Sequence, residues 1–233
     1  MEPDAIIAAL ARSSLFQAVP RVDLIDMAGR MKPRSYRRGE VIFRRDDPAG
    51  ALHVIQSGNV KISLDNDEGK ETVLALLGPG VCIGEIAALD GGPRSATVTA
   101  VEATETLALL RADLLDVMRT HPDVALALIE TLASRLRRTD TRLEDAHFLD
   151  LDTRFARLLV DLADERGQPT PAGLEVKLPL TQAELAAMIG ATRVSANRLL
   201  GAYQDAGLVR LQKRSLILMD MRALLERAGR PPE

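Results

Sequence analysis

The chain has 233 residues, and its 46% hydrophobic and 27% charged content can supply a substantial core and excludes wholesale disorder. Its 30 basic and 33 acidic residues give a formal net charge of −3, which excludes a globally basic nucleic-acid coat but not a local basic patch. One cysteine, Cys82, and three scattered histidines argue against a disulfide, a zinc site or an iron–sulfur cluster, so no metal is expected. Because the sequence has neither a membrane-length apolar run nor a basic leader, we expect a cytoplasmic protein that does not contact membranes.

The first 120 residues have the texture of a small β domain behind a short helix. Residues 1–20 show apolar side chains at helical spacing, and Pro20 is expected to end that helix. From residue 31 to residue 110 glycines recur about every ten residues, and the runs between them alternate in polarity, as in residues 60–64. Many short strands with turns between them predict an antiparallel β-roll, or jelly roll, over residues 1–120.

A long helix is predicted after this domain. One helix should cover residues 111–120, and a second should run from Pro122 to about Phe148. Apolar and small side chains recur in the second helix in alternating steps of four and three, the spacing of a parallel coiled coil: Ala125, Ile129, Leu132, Leu136, Thr139, Leu143 and Ala146. Residues 121–150 are therefore predicted to form a homodimer seam and a hinge. The alternative is an amphipathic helix packed on its own domain.

Residues 151–233 carry the pattern of a winged helix-turn-helix. A helix over residues 152–165 and a loop over residues 167–173 precede two short helices, the first opened by a Thr181-x-x-Glu184 capping box and the second capped by Thr192. Two short β runs follow the second helix. Helix, tight turn, helix and hairpin predict a DNA-binding domain, so the whole chain is assigned to the α+β class.

Local charge favours a nucleic-acid face in that domain. Six basic and two acidic residues lie between positions 176 and 215. The second helix of the motif enters the major groove, so its first residues are expected to meet base edges: Arg193, Val194, Ser195, Asn197 and Arg198. Contacts to the DNA backbone are expected from Thr181, Gln182, Thr192 and Lys213.

The densest candidate for ligand chemistry lies between residues 84 and 96. Its small residues would let a ligand approach the backbone, and the planar guanidinium of Arg94 matches a phosphate group. Ser95 adds a hydroxyl donor, while Glu85 would repel phosphate and suits a sugar hydroxyl. The alternative is a glycine-rich turn that carries a surface Arg–Glu pair.

This segment resembles the phosphate-binding cassette of the cyclic-AMP receptor protein and fumarate–nitrate regulator (CRP/FNR) family of bacterial transcription factors. Gly84-Glu85-Ile86-Ala87 and Arg94-Ser95-Ala96 carry the resemblance, and the heptad helix and helix-turn-helix extend it over nearly the whole chain. It implies a homodimer that holds one cyclic AMP in each β-roll, binds a pseudo-palindromic double-stranded DNA operator and contacts RNA polymerase.

The resemblance also implies roles for single residues. Glu85 would bind the ribose 2′-hydroxyl, and Arg94 and Ser95 would bind the cyclic phosphate. Arg135 matches the arginine that links to the cassette glutamate, and Thr139 matches the threonine that meets the adenine amino group.

Two positions depart from the family pattern. Asp140 stands where cyclic-AMP-binding members have serine, and its carboxylate can accept from the adenine amino group but would repel the guanine oxygen. It could also hold Arg135 across a dimer interface when no ligand is bound. Val194 replaces a glutamate that would read cytosine, and a valine can instead meet a thymine methyl group.

Other function classes find less support. A metal-dependent β-roll enzyme would need clustered ligands, and only His53 lies in the β region, so no enzyme is expected. Haem would need a ligand such as His53 or Cys82, and each is expected to be structural. The open alternative is a DNA-binding regulator that uses no small ligand or a different nucleotide. Burial of the Arg94 guanidinium against its own fold, with no room for a ligand, would contradict the cyclic-AMP assignment.

Overall fold

The computed structural model describes residues 3–13, 16, 19–66, 71–212 and 215–230. The chain divides into two compact units. The first contains Met1–Gly69 and Leu74–Arg138, and the second contains Thr139–Glu233 and Lys70–Val73. None of the helices in the described part of the chain is both long and apolar enough to cross a membrane.

The first unit contains the predicted β-roll. In the described part of this unit, eight strands form two four-stranded antiparallel sheets, ordered β1-β8-β3-β6 and β2-β7-β4-β5. The strands are β1 Lys32–Tyr36, β2 Val41–Phe43, β3 Ala51–Ser57, β4 Val60–Asp65, β5 Glu71–Leu77, β6 Cys82–Ile83, β7 Thr97–Ala100 and β8 Thr104–Leu110. The strands β3 and β8 each bury four consecutive residues, among them Leu52 and Leu107, whereas burial along β7 alternates as its sequence pattern predicts.

Helices cover one side of this roll. They are α1 Pro3–Arg12, α2 Arg21–Arg30, α3 Glu85–Asp90, α4 Arg111–Thr120 and the first part of α5 Pro122–Phe148, whose residues from Thr139 onward belong to the second unit. The expectation of one helix over residues 1–20 is wrong. The first helix ends at Arg12, and Pro20 precedes a second helix instead of closing the first, because a proline without an N–H is well tolerated where a helix begins. Leu10, Met27, Val124 and Leu128 join helices α1, α2 and α5 to the core of the roll.

The second unit is a winged helix-turn-helix. It contains α6 Leu151–Arg166, β9 Gly167–Thr170, β10 Gly173–Lys177, α7 Gln182–Met188, α8 Arg193–Asp205, β11 Val209–Gln212, β12 Ser215–Leu218 and α9 Met221–Arg227. Its sheet has the order β11-β12-β10-β9. The loop predicted over residues 167–173 is wrong: β9 is an edge strand paired with β10, a place where Pro169 needs no ladder partner for its missing N–H.

The core of this unit ties α6 to α8 and α9. The ring of Phe155 on α6 packs edge-on against Tyr203 on α8, with ring centroids 5.1 Å apart. Arg157 on α6 forms an ion pair with Asp145 near the end of α5 and donates from Nε to the Ala228 carbonyl after α9 at 3.0 Å. One guanidinium therefore joins three helices of the unit.

Candidate functional site

The cassette is built around the short helix α3. Gly84 before it and Gly91 after it adopt left-handed φ angles of +76° and +77°, which favour glycine. A Cβ on Gly84 would lie 2.4 Å from Nη1 of Arg94, so a side chain there would also displace the arginine. The turn that follows is held by Asp90, whose carboxylate accepts from the Gly92 N–H at 2.8 Å. The two glycines thus allow α3 to lie against Arg94.

Glu85, the first residue of α3, carries a buried carboxylate that is only half paired. Its Oε1 accepts from Nη1 of Arg135 at 2.5 Å, and Nη2 of Arg135 donates to the Cys82 carbonyl at 2.5 Å. Its Oε2 is buried and has no hydrogen-bond partner among the described residues. A buried acceptor left in this way costs about 1–3 kcal/mol, and more when charged. The free oxygen therefore fits a ligand hydroxyl.

Arg94 is buried more deeply than the sequence suggests, with 4% of its surface exposed. Nη1 donates to the Gly84 carbonyl at 2.9 Å, Nη2 donates to the Ala51 carbonyl at 2.7 Å, and Cζ lies 4.1 Å from the ring centroid of Phe43. Burial lowers the pKa of this guanidinium, and the carboxylates of Asp47 and Glu85 oppose that shift. A guanidinium has five N–H donors, and two of them are engaged with carbonyls of this chain, so the guanidinium is held against its own fold, which is the first half of the condition set above against cyclic AMP. An anion at this site would have to meet the remaining N–H groups or displace one of the two carbonyls.

The remaining predicted ligand residues fall into two groups. Within the cassette, Ile86 and Ser95 are exposed, whereas Ala87 and Ala96 are buried. Thr139 and Asp140 lie on α5 about one turn after Arg135, and both are exposed. Arg135 contacts Glu85 within its own chain, so its pairing with Asp140 of the partner subunit stays a prediction.

Sequence reasoning missed the supports of the cassette. Phe43 and Ala51 hold Arg94, and Arg111 at the start of α4 donates from Nη2 to the Leu89 carbonyl at 3.3 Å. These residues carry no local signal, because their roles depend on strand pairing between distant segments. Within the described ranges, His, Cys, Asp and Glu side chains form no group of three that could hold a metal ion.

The single cysteine lies directly before the cassette. Cys82 is buried on β6, and its Sγ is 3.9 Å from Oγ of Ser13. Burial raises the pKa of its thiol to about 12, with only a partial opposing effect from the Ser13 hydroxyl. Its backbone carbonyl, which accepts from Arg135, is the part that serves the site.

His53 lies on β3, and its ring packs near that of Phe43, which lies on β2 in the other sheet of the roll. It is 8% exposed, its Nδ1 is 3.1 Å from Oγ1 of Thr106, and its ring centroid is 6.2 Å from that of Phe43. Burial lowers the pKa of His53 to about 4, and the charges of Arg94 and Arg34 lower it further in the same direction. The imidazole is therefore neutral at physiological pH.

We expect His53 to make the β-roll sensitive to acid. Below the usual histidine pKa of about 6.5 the unfolded chain binds a proton that the folded chain refuses, so stability is complete above that pH and falls as the pH drops towards 4. The loss attributable to this group is roughly 3 kcal/mol. Urea unfolding of the protein and of a His53→Gln variant at several pH values between 4 and 7.5 gives the free energy of unfolding as a function of pH. The difference between the two proteins in the slope of that curve measures the contribution of His53. Equal slopes would contradict this assignment.

Helix α5 presents two different faces. Val124 and Leu128 are buried in the core of the β-roll, whereas Ile129, Leu136 and Leu143 are 61%, 63% and 60% exposed. Each of these three residues follows the previous one by seven positions, so all three lie on one face of the helix. The rest of the predicted seam is half-buried at Ala125 and Leu132 and exposed at Thr139 and Ala146. The described part of the chain thus leaves Ile129, Leu136 and Leu143 exposed.

The helix-turn-helix is formed as its caps predict. Oγ1 of Thr181 accepts from the Glu184 N–H, and the Thr181 N–H donates to Oε2 of Glu184 at 2.8 Å, which completes the predicted capping box. Oγ1 of Thr192 accepts from the Ser195 N–H and donates to Oγ of Ser195 at 3.0 Å. Ser195 is therefore part of the cap of α8, which the sequence assigned to Thr192 alone.

The other predicted DNA contacts lie around these caps. Arg193, Val194 and Arg198 are exposed, while Gln182 and Asn197 are half-buried. Thr181 and Thr192 are exposed at the two helix starts, where a phosphate oxygen could approach. Lys213 lies outside the described residues.

Comparison with known proteins agrees with both halves of this arrangement. The family model of the cyclic nucleotide-binding domain matches residues 33–121, and that of the Crp-like helix-turn-helix domain matches residues 153–227. The CRP-like cAMP-activated global transcriptional regulator of Mycobacterium tuberculosis is 32% identical over 219 residues, 94% of this chain and 98% of the relative. The cyclic AMP receptor protein of Thermus thermophilus is 40% identical over 178 residues, 76% of this chain and 79% of the relative.

One solved structure with the same fold is that of a regulator named for a nucleotide other than cyclic AMP. It is the c-di-GMP-responsive global regulator CLP of Xanthomonas campestris, which is 26% identical with a TM-score of 0.74 and covers 86% of this chain and 100% of its own. The matches of both domains, in this order and over nearly the full length of a relative, show that the chain belongs to the CRP/FNR family of transcription regulators.

Proposed function

We propose that this protein is a homodimeric, sequence-specific DNA-binding transcription regulator whose affinity for DNA is controlled by cyclic AMP. The observation that carries the ligand part is the carboxylate of Glu85: one oxygen is fixed by Arg135, and the other is buried without a partner. A sugar hydroxyl can donate to that oxygen, and the guanidinium of Arg94 lies close enough to Gly84 to meet an adjoining phosphate. A cyclic nucleotide combines both groups.

Cyclic AMP is favoured among cyclic nucleotides for two reasons. Both of the curated relatives described above are named for it, at 32% and 40% identity. Asp140 offers only acceptor atoms, which suits the adenine amino group and disfavours the guanine oxygen. We therefore expect cyclic AMP to bind more tightly than cyclic GMP.

The exposed apolar residues of α5 support the proposed dimer and its operator. Ile129, Leu136 and Leu143 repeat at heptad spacing, and a second copy of the helix would bury all three. A two-fold dimer presents two α8 helices, which fit half-sites about 34 Å apart in a pseudo-palindromic DNA site. Transcription control further implies RNA polymerase as a partner.

One observation favours a second candidate, a regulator of the same fold that needs no small ligand or takes a different nucleotide. The Arg94 guanidinium already donates to two carbonyl groups and packs against the face of the Phe43 ring, so its position is stable without a phosphate. A larger cyclic dinucleotide is the effector named for the Xanthomonas regulator. The two candidates differ in what stabilises the folded protein.

A thermal-shift series separates them. Cyclic AMP at about one hundred times its dissociation constant should stabilise the full chain by about 2.7 kcal/mol and raise its melting temperature by roughly 5–10 °C. Cyclic GMP and 5′-AMP should shift it less at the same concentration. Ser95→Ala should weaken the affinity for cyclic AMP about tenfold or more, because it removes an exposed hydroxyl donor to a charged phosphate, and the shift at the same concentration should then fall to about half or less.

Ser35→Ala, an exposed serine on β1, is the matched control and should leave the response to cyclic AMP unchanged. No shift with any cyclic mononucleotide, in a protein that still binds a specific DNA sequence, would overturn the cyclic-AMP proposal and support the second candidate. A larger shift with cyclic di-GMP would identify the effector class directly.

A further inference from the structure

The first turn of α8 presents an apolar side chain in a place where polar side chains are usual. Val194, the second residue of the helix, is 79% exposed. Arg193 stands beside it, and Arg198 lies one turn further on; both are exposed. A valine that is 79% exposed leaves most of its apolar surface in water, so its side chain contributes little burial to the fold.

The remaining side chains of this turn are engaged in the fold. The hydroxyl groups of Thr192 and Ser195 bond to each other at 3.0 Å, and Ala196 is buried. The first turn contains no acidic residue. Within α8, which is described throughout, the exposed groups in the first two turns are two guanidinium groups and one isopropyl group.

The chemistry of the major groove gives that isopropyl group one partner. The edges of the base pairs present hydrogen-bond donors and acceptors, and their one apolar feature is the C5-methyl group of thymine. A C5-methylated cytosine carries the same methyl group at the same ring position. We propose that Val194 reads the C5-methyl group of a pyrimidine, so that the protein distinguishes methylated from unmethylated pyrimidines at one position in each half-site. This inference rests on the proposed binding of DNA by α8.

The helix geometry places that pyrimidine relative to the arginine contacts. Val194 and Arg198 are four residues apart and share one face of the helix, separated by about 6 Å along its axis. Base pairs are stacked about 3.4 Å apart. The methyl group therefore lies within about two base pairs of the guanine that Arg198 would contact.

The test uses operator DNA selected from random duplexes by the full-length protein in saturating cyclic AMP. Each thymine of the half-site is then replaced by deoxyuridine, which removes only the methyl group. We expect one such position per half-site to weaken binding about fourfold, the effect of one buried methyl group. At the same position, 5-methylcytosine should bind about fourfold more tightly than cytosine.

Val194→Ala should bind the thymine and deoxyuridine operators equally while keeping the guanine preference. Val22→Ala, which changes a valine that is 70% exposed on α2, is the matched control and should keep the full methyl effect. Sequence-specific binding with equal affinity for thymine and deoxyuridine at every position would overturn the methyl inference and leave the proposed function standing. Failure to select any sequence would instead overturn the DNA-binding proposal itself.

Discussion

Replacing Arg135 by methionine should lower the free energy of unfolding of the β-roll unit by about 3 kcal/mol. Methionine keeps most of the length and the apolar stem of the side chain, so packing changes little. It removes both donors at 2.5 Å, one to Glu85 and one to the Cys82 carbonyl. The Glu85 side chain, only 3% exposed, would then carry a buried charge with both oxygens unpaired. Losing one partner of a buried pair is far more costly than losing an exposed one.

The two tyrosines make this measurement specific to one unit. Tyr36 lies in the first unit and Tyr203 in the second, and the chain contains no tryptophan. In a Tyr203→Phe background, tyrosine fluorescence during urea unfolding reports on the β-roll alone. Adding Glu85→Gln to Arg135→Met should recover part of the loss, because the buried group is then neutral.

An exposed ion pair provides the control for this result. Arg45, 51% exposed at its side chain, lies 3.7 Å from Asp46 in the same unit. Arg45→Met should change the free energy of unfolding by less than about 1 kcal/mol. If Arg135→Met and Arg45→Met unfold at the same urea concentration, the buried Arg135–Glu85 pair does not stabilise the cassette.

Arg193→Ala should weaken operator binding by about 10- to 100-fold per half-site and relax the preference at a single base position. A bidentate contact between a guanidinium and guanine contributes about 1–3 kcal/mol of discrimination, and a two-fold dimer loses it twice. Arg193 is exposed at the first position of α8, where the capped helix start holds the backbone in place. Binding to a randomised operator library, followed by sequencing, measures the affinity and the base preference together.

The control replaces an arginine of the same unit outside α8. Arg222 on α9 is 79% exposed at its side chain and pairs with Glu226, so Arg222→Ala should leave both the affinity and the base preference unchanged. Weakening by Arg193→Ala that is uniform across all sequences would assign this residue to phosphate contact and would argue against base readout.

Local signals predicted a large part of this fold. The end of α4 and the start of α5 agree with the sequence prediction because a His–Pro pair separates the two helices. The starts of α7 and α8 agree because each is fixed by a threonine cap within three residues. The β-roll followed from glycine spacing and alternating polarity, which are also local.

The errors lie where tertiary contacts decide the structure. The β9–β10 hairpin contains Pro169, and its sequence has the composition of a loop. It forms a hairpin because β10 also pairs with β12, a contact that the local sequence does not reveal. The sequence analysis did not predict helices α2 and α9. Helix α9 is stabilised by a contact with α6, in which Arg157 donates to the Ala228 carbonyl. The same reason hid the Phe43 and Ala51 supports of Arg94, which lie 51 and 43 positions before it and meet it only after the sheets form.

The burial of the Cys82 thiol has a practical consequence for labelling experiments on this protein. Thiol-reactive dyes and spin labels attack the thiolate, and burial with a pKa of about 12 leaves almost none of it at neutral pH. A cysteine introduced on an exposed helix could therefore be labelled selectively without first removing the native one. Distances between probes could then be followed in an otherwise unaltered chain, and mild oxidants should leave effector recognition intact.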